Sequence, residues 1–219
     1  VIDVFREMEK VQPKVKIDML NTYREIALDH RPTMTEFFNA TTFSHSILKS
    51  KFGGWLDFIG QANQLTEDEK KIVEMKSFKD FFSVIENTRM KMSYKIPVIY
   101  SFLDEDLIKD SQTLVEIASY FKMFYTSNKV FLRDIAGDAA NSAIKNIDDI
   151  KQIIFTCEDK PIKHLTCGPE ADYFEYDKSQ KVMKLKIPEL QNIGKAGVDL
   201  IKELLNFRIN DYFKRRFCE

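Results

Sequence analysis

Apolar residues recur at helical spacing along most of the chain and alternate at strand spacing in only one region. From residue 17 to 28, the spacing of Ile17, Leu20, Tyr23 and Ile26 predicts a one-faced helix. Arg31-Pro32 ends it, because proline disfavours the helical conformation at the residue before it. Thr33 and Glu36 then form the S/T-x-x-E pattern, in which each side chain satisfies the other's free backbone amide, and Phe37 and Phe38 give the short helix an apolar side. "NATT" breaks that helix, and Ser44 is placed to cap the next, with Leu48 and Phe52 inward and Phe43 and Ile47 beside them. Gly53-Gly54 closes it, and Trp55, Phe58 and Ile59 pack a further turn back on the bundle. This is the plan of a helix-turn-helix.

The stretch 65–92 is charged, with Phe78, Phe81, Phe82 and Ile85 at helical spacing, and reads as a helical connector. Pro97 suits a first helical turn, and Val98, Ile99, Phe102 and Leu103 continue as a buried helix. Thr113 and Glu116 repeat the capping pattern ahead of Leu114, Ile117, Ala118, Phe121 and Tyr125. A third helix is expected from about Asn141 to Phe155, with Ile144, Ile147, Ile150 and Ile154 on one side. The run "DYFEYDKSQKVMKLKI" alternates apolar and polar residues around a turn at Asp177 to Gln180, a β-hairpin. Ile201, Leu205, Ile209, Tyr212 and Phe213 then mark a terminal helix, with Lys214, Arg215 and Arg216 assigned to its C-terminal dipole. The expected fold is mainly α: a helix-turn-helix-like bundle over 1–64, the connector over 65–92, and a winged-helix-like unit with one β-hairpin and a C-terminal helix over 93–219.

Composition narrows the function classes. With 44% hydrophobic and 31% charged residues, no stretch approaches the roughly 20 apolar residues a membrane span needs. The 33 basic and 34 acidic residues leave a net charge of -1, so nucleic-acid affinity has to come from local patches. Cys157, Cys167 and Cys218 have no zinc spacing and fit a reducing, cytoplasmic compartment. "VIDVFREMEK" lacks the apolar core of a signal peptide. The start without methionine and the halt at "FKRRFCE" suggest a piece of a longer polypeptide.

Catalytic signatures are sparse. No G-x-x-x-x-G-K-[ST] loop is present, and "IAGDAANSA" lacks the lysine that would meet a phosphate, so this segment is expected to be no ATPase and to carry no cofactor. His30, His45 and His164 form no metal pair; His164 and Cys167 stand three apart without a second ligand pair. Asp104, Glu105, Asp106 and Asp110 could hold magnesium, but acidic residues between two helices are also well solvated there. Cys157 would need a nearby base to act as a nucleophile.

Ser93-Tyr94-Lys95, Lys160-Pro161-Ile162 and Tyr173-Phe174-Glu175-Tyr176-Asp177 resemble the "KSYK" tract, the "NPI"-like element and the "FFKYD" hairpin of the C-terminal accessory region of bacterial superfamily 2 DEAD/DEAH-type (type III restriction-like) DNA helicases. Glu175 stands where that family usually has lysine, which weakens a basic wing. The stretch from Arg31 to Trp55 is also similar to a small helical repeat found beside nucleases and helicases, with its "RPT" opening and its "FGSW" close, here Phe52-Gly53-Gly54-Trp55. The resemblance implies a non-catalytic, DNA-engaging accessory domain, with ATP hydrolysis supplied by motor domains elsewhere in the same chain.

A helix in the major groove reads with its N-terminal and outward residues. The expected DNA contacts are therefore Ser44, His45, Lys49 and Lys51, with Thr41 and Thr42 in the turn. In the second unit they are Asn141, Ser142, Lys145 and Lys151 on the third helix, and Lys178, Lys181 and Lys184 on the wing. Simple solvation accounts for the same residues. A protein-interaction or spacer module without nucleic-acid contact is the alternative, and a nuclease using Asp106 is a third.

Overall fold

The computed structural model describes the backbone of residues 2–136, 144 and 146–217, and the side chains of 14–135, 144 and 146–217. It is mainly helical with one small three-stranded antiparallel sheet, and it divides into two compact units, Val1–Glu74 and Met75–Glu219. No helix among the described residues is long and apolar enough to cross a membrane.

The first unit holds α1 (Ile2–Ile26), α2 (Met34–Ala40), α3 (His45–Phe52), α4 (Trp55–Gln61) and α5 (Glu67–Glu74). Its core is aromatic: Tyr23, Phe37, Trp55 and Phe58 are fully buried, and the Tyr23 ring meets Phe58 and Phe37 edge-on at 5.1 and 5.5 Å. Each such ring contributes about 1.5–3 kcal/mol of burial, which lets helices of seven or eight residues hold together. Met19 and Tyr23 form the buried face of α1, whereas Ile17 is exposed, so the expected stripe through Ile17 is rotated. Ile47 likewise faces outward from α3. The periodicity left the angle of these faces open, because apolar residues flank both edges of each stripe.

The helix ends follow the side chains. Thr33 caps α2 with a reciprocal bond to Glu36, and Ser44 Oγ accepts the amide of Ile47 at the start of α3. Thr66 and Glu69 form another reciprocal pair ahead of α5. Arg31 reaches the same Glu69 carboxylate. Gly53 ends α3 at φ 95°, a conformation that disfavours any Cβ.

The second unit contains α6 (Lys76–Asn87), α7 (Lys95–Ser101), β1 (Ser111–Thr113), α8 (Leu114–Thr126), α9 (Lys129–Ala136) and α10 (Ile150–Cys157). A π-turn (Glu158–Ile162) leads to α11 (Lys163–Leu165), followed by β2 (Phe174–Asp177), β3 (Val182–Leu185) and α12 (Gly194–Phe217). Pro161 has no amide hydrogen for the helical ladder, the local reason for the wide turn around it. The order helix, strand, helices, hairpin is winged-helix-like. β1 completes the sheet in the order β1-β3-β2, with Gln112 opposite Met183 and Tyr176 opposite Met183 on the other side.

The structure adds two elements to this unit and shifts the start of a third. β1 adds a strand to the hairpin, too short for alternation to reveal it. α9 was not expected from the sequence. The helix expected from Asn141 starts at Ile150, because Asp149 accepts the amides of Lys151 and Gln152 and so caps it there. Its buried residues are Ile153, Thr156 and Cys157, while Ile150 is exposed. α12 is buried on nearly every side, from Val198 through Phe213, and packs against α6 and α7.

Two tests follow from the caps. Gly53→Ala would put a Cβ 3.0 Å from Asp57 Oδ2 at a positive φ, so we expect a loss of roughly 1–2 kcal/mol, read by urea denaturation through the fluorescence of Trp55, the single tryptophan. Hydrogen bonds from Thr33 and Thr113, backbone first, hold Glu36 and Glu116 below the ordinary carboxylate range. The unfolded state then binds more protons. Their contribution is full above the unfolded values, near pH 4, and is lost as pH falls through the lower folded values. A pH series of melting temperatures should therefore show a shallower acid decline for Glu116→Gln, starting from a lower plateau.

Candidate nucleic-acid interface

α3 is held by Leu48 and Phe52, which are buried against the first unit's core. The opposite side presents Ser46, Lys49 and Ser50 to solvent, with Lys51 half-buried at its edge. The helix carries no acidic residue. Ser44 is exposed and occupied as the cap, and its Oγ lies 2.8 Å from Ser46 Oγ. His45 is half-buried, with its ring edge-on to Phe38 at 6.1 Å. In the turn before α3, Thr42 is exposed, whereas the Thr41 hydroxyl is buried without a hydrogen-bond partner among the described residues. Sequence reasoning passed over Lys16 of α1, whose ammonium lies 5.0 Å from the Phe52 ring centroid at the end of α3. Its signal was there: Lys16, Met19 and Tyr23 share one helical face.

The second unit arranges its charges differently. Asn141, Ser142 and Lys145 lie outside the described residues. Lys151 is exposed on α10, but Asp148 and Asp149 precede the helix and Glu158 and Asp159 follow it. Phe155, 68% exposed, is the most prominent group on that helix. On the hairpin, Lys181 gives its charge to Glu158 at 2.6 Å, and Tyr176 donates to the same carboxylate at 2.9 Å. The Lys181 hydrogen bond holds Glu158 below the ordinary carboxylate range. Lys184 stands opposite Glu175 across the strands, and Lys178 is exposed in the turn.

The Ser93-Tyr94-Lys95 tract turns out to bind buried carboxylates. The Ser93 amide and hydroxyl donate to Asp134 Oδ2 at 2.8 and 2.7 Å, and Tyr212 donates to Oδ1 at 2.6 Å. Arg216 approaches Oδ1 at 3.5 Å. Tyr94 packs edge-on against Phe121, and burial with Asp134 nearby pushes its phenol up to about 12. Lys95 pairs with Glu170 Oε1 at 2.7 Å, and Thr88 donates to the same oxygen. Glu170 is 1% exposed, and a Cβ at position 168 would lie 2.8 Å from its Oε2, so a side chain there would force the carboxylate to shift. Neither carboxylate was legible, because each meets its partner across dozens of intervening residues.

The remaining chemistry is weak. Asp104, Glu105, Asp106 and Asp110 are exposed in a turn, and no group of three or more metal-ligating side chains occurs among the described residues. Burial pushes the Cys157 thiol far up, away from a reactive thiolate. His164 and Cys167 are exposed. Comparison of the chain with protein-family models, with curated proteins and with solved structures found no match.

Lys95→Met would leave Glu170 buried without its cation, so a loss of about 3 kcal/mol is expected in thermal unfolding followed by circular dichroism. The double change Lys95→Met with Glu170→Met should recover most of it, because the desolvated charge is then gone.

Proposed function

We propose that the chain is a non-catalytic, DNA-engaging accessory segment of an ATP-dependent helicase, and that α3 of the first unit makes the contact. The observation that carries this reading is a contrast between two helices. α3 exposes hydroxyls and lysines and has no acidic residue in its own sequence, whereas α10 is bracketed by Asp148, Asp149, Glu158 and Asp159. Phosphate neutralisation dominates affinity for DNA, so the first helix suits a polyanion and the second repels it. The parent activity rests on the resemblance of the Ser93-Tyr94-Lys95, Lys160-Pro161-Ile162 and Tyr173–Asp177 segments to helicase accessory regions. The motor would be supplied elsewhere in the same polypeptide.

A protein-interaction role is the second reading, favoured by the exposed Phe155 and Ile150 on α10. Fluorescence anisotropy with a labelled duplex separates the two. We expect binding that weakens with salt and falls about tenfold or more in Lys49→Glu with Lys51→Glu, since each lost phosphate contact removes about 0.9 from the salt slope. Absent or salt-indifferent binding would move the assignment to the second reading.

A further inference from the structure

The connector between α6 and α7 is irregular yet tightly held. Arg208 donates to the carbonyl of Thr88, and Arg216 donates to the carbonyl of Lys91 at 3.3 Å. Thr88 and Ser93 point inward to Glu170 and Asp134. With those positions fixed, Arg89 and Lys91 are left exposed. Across from them, Lys160, Lys163 and His164 share one side of the π-turn and α11, at the spacing that places residues on a common helical face.

The two walls enclose a cleft formed by cavities of about 520 and 540 Å³ that share Arg89, Lys95 and His164. Five basic side chains line it, Arg89, Lys91, Lys95, Lys160 and Lys163, against two carboxylates, Asp159 and Glu170. That is a local charge of +3 with His164 neutral, in a chain of net charge -1. Glu170 is already neutralised by Lys95. Among the described residues, Arg89, Lys91, Lys160 and Lys163 enter no ion pair.

We infer that this cleft, and not α10 or the hairpin, is where the second unit meets the sugar-phosphate backbone of duplex DNA. Unpaired cations along both walls suit a continuous polyanion, which offers a charge at every step along its length. The walls are held in place before binding, so little order has to be imposed on them when the backbone arrives. Arg89 offers a planar fork for phosphate oxygens, and the lysines act as point charges. No base-reading group is needed, so binding at the cleft is independent of sequence. The inference rests on the DNA-engaging reading but places a second contact on a different unit.

The test uses the full chain, a labelled mixed-sequence duplex and a labelled single strand, with anisotropy followed against potassium chloride. Arg89→Glu with Lys160→Glu and Lys163→Glu should weaken duplex binding about tenfold or more and lower the salt slope by about 2 to 3. The same loss should appear in the Lys49→Glu/Lys51→Glu background. The variant Arg89→Lys with Lys160→Arg and Lys163→Arg should keep the affinity, and circular dichroism should show all variants folded. Unchanged duplex binding in the folded cleft variant overturns the inference, while a loss in Lys49→Glu/Lys51→Glu alone would leave the α3 reading intact. The reverse pattern upholds the cleft and removes α3. Preference for the single strand, or equal displacement by a poly-glutamate peptide, also overturns the assignment to duplex DNA.

Discussion

A carboxylate can leave water only if donors or cations replace what water supplied. The second unit holds three that have done so, Glu86 of α6, Asp134 of α9 and Glu170 of the turn before β2, and the last two tie its segments together. Both are answered from the same short stretch: Ser93 reaches Asp134, while Thr88 and Lys95 reach Glu170. The bonds draw α9, α12 and the turn before β2 onto one connector. A segment without regular structure is thereby tied by hydrogen bonds to three neighbouring elements. Its side chains divide between those satisfying buried charge and those left in solvent.

The first unit solves its packing without buried ions at its centre. Tyr23, Phe37, Trp55 and Phe58 pack against one another, and the Tyr23 hydroxyl donates to the carbonyl of Pro32 at 3.3 Å. Two residues of α3, Leu48 and Phe52, suffice to anchor it to this cluster. The rest of that short helix is then available to solvent and to a partner. α10 has a comparable length but a different setting, since carboxylates cap one end and follow the other. Similar helices thus acquire opposite electrostatic character from a few flanking residues.

A chain whose charges nearly cancel in total can still concentrate them. The wing lysine Lys181 is spent on Glu158, and Arg215 on Asp211 at 2.5 Å. Arg216 is turned toward Asp134 and the connector. Among the described residues, Arg89, Lys91, Lys160 and Lys163 stay out of ion pairs and converge on one cleft, whereas the unpaired Lys151 and Lys178 stand singly on α10 and the hairpin turn. Pairing, more than composition, decides which cations stay available.

The sequence alone determined the helices whose ends carry their own instructions: Thr33 with Glu36, Thr113 with Glu116, Ser44 and Gly53 act within one turn and are readable locally. It also determined the hairpin and the apolar stripe of α12, because period and burial agree there. The outward lysines of α3 were legible for the same reason. The start of α10 is set locally by the Asp149 cap, but the strand β1 and the orientation of α1 were decided by tertiary packing, since each depends on which neighbouring segment finds a partner there. The buried Asp134 and Glu170 and the cleft beside them belonged wholly to the folded structure. Their partners lie 41 and 75 residues apart along the chain, and no local spacing encodes an interaction that exists only when distant segments exclude water together.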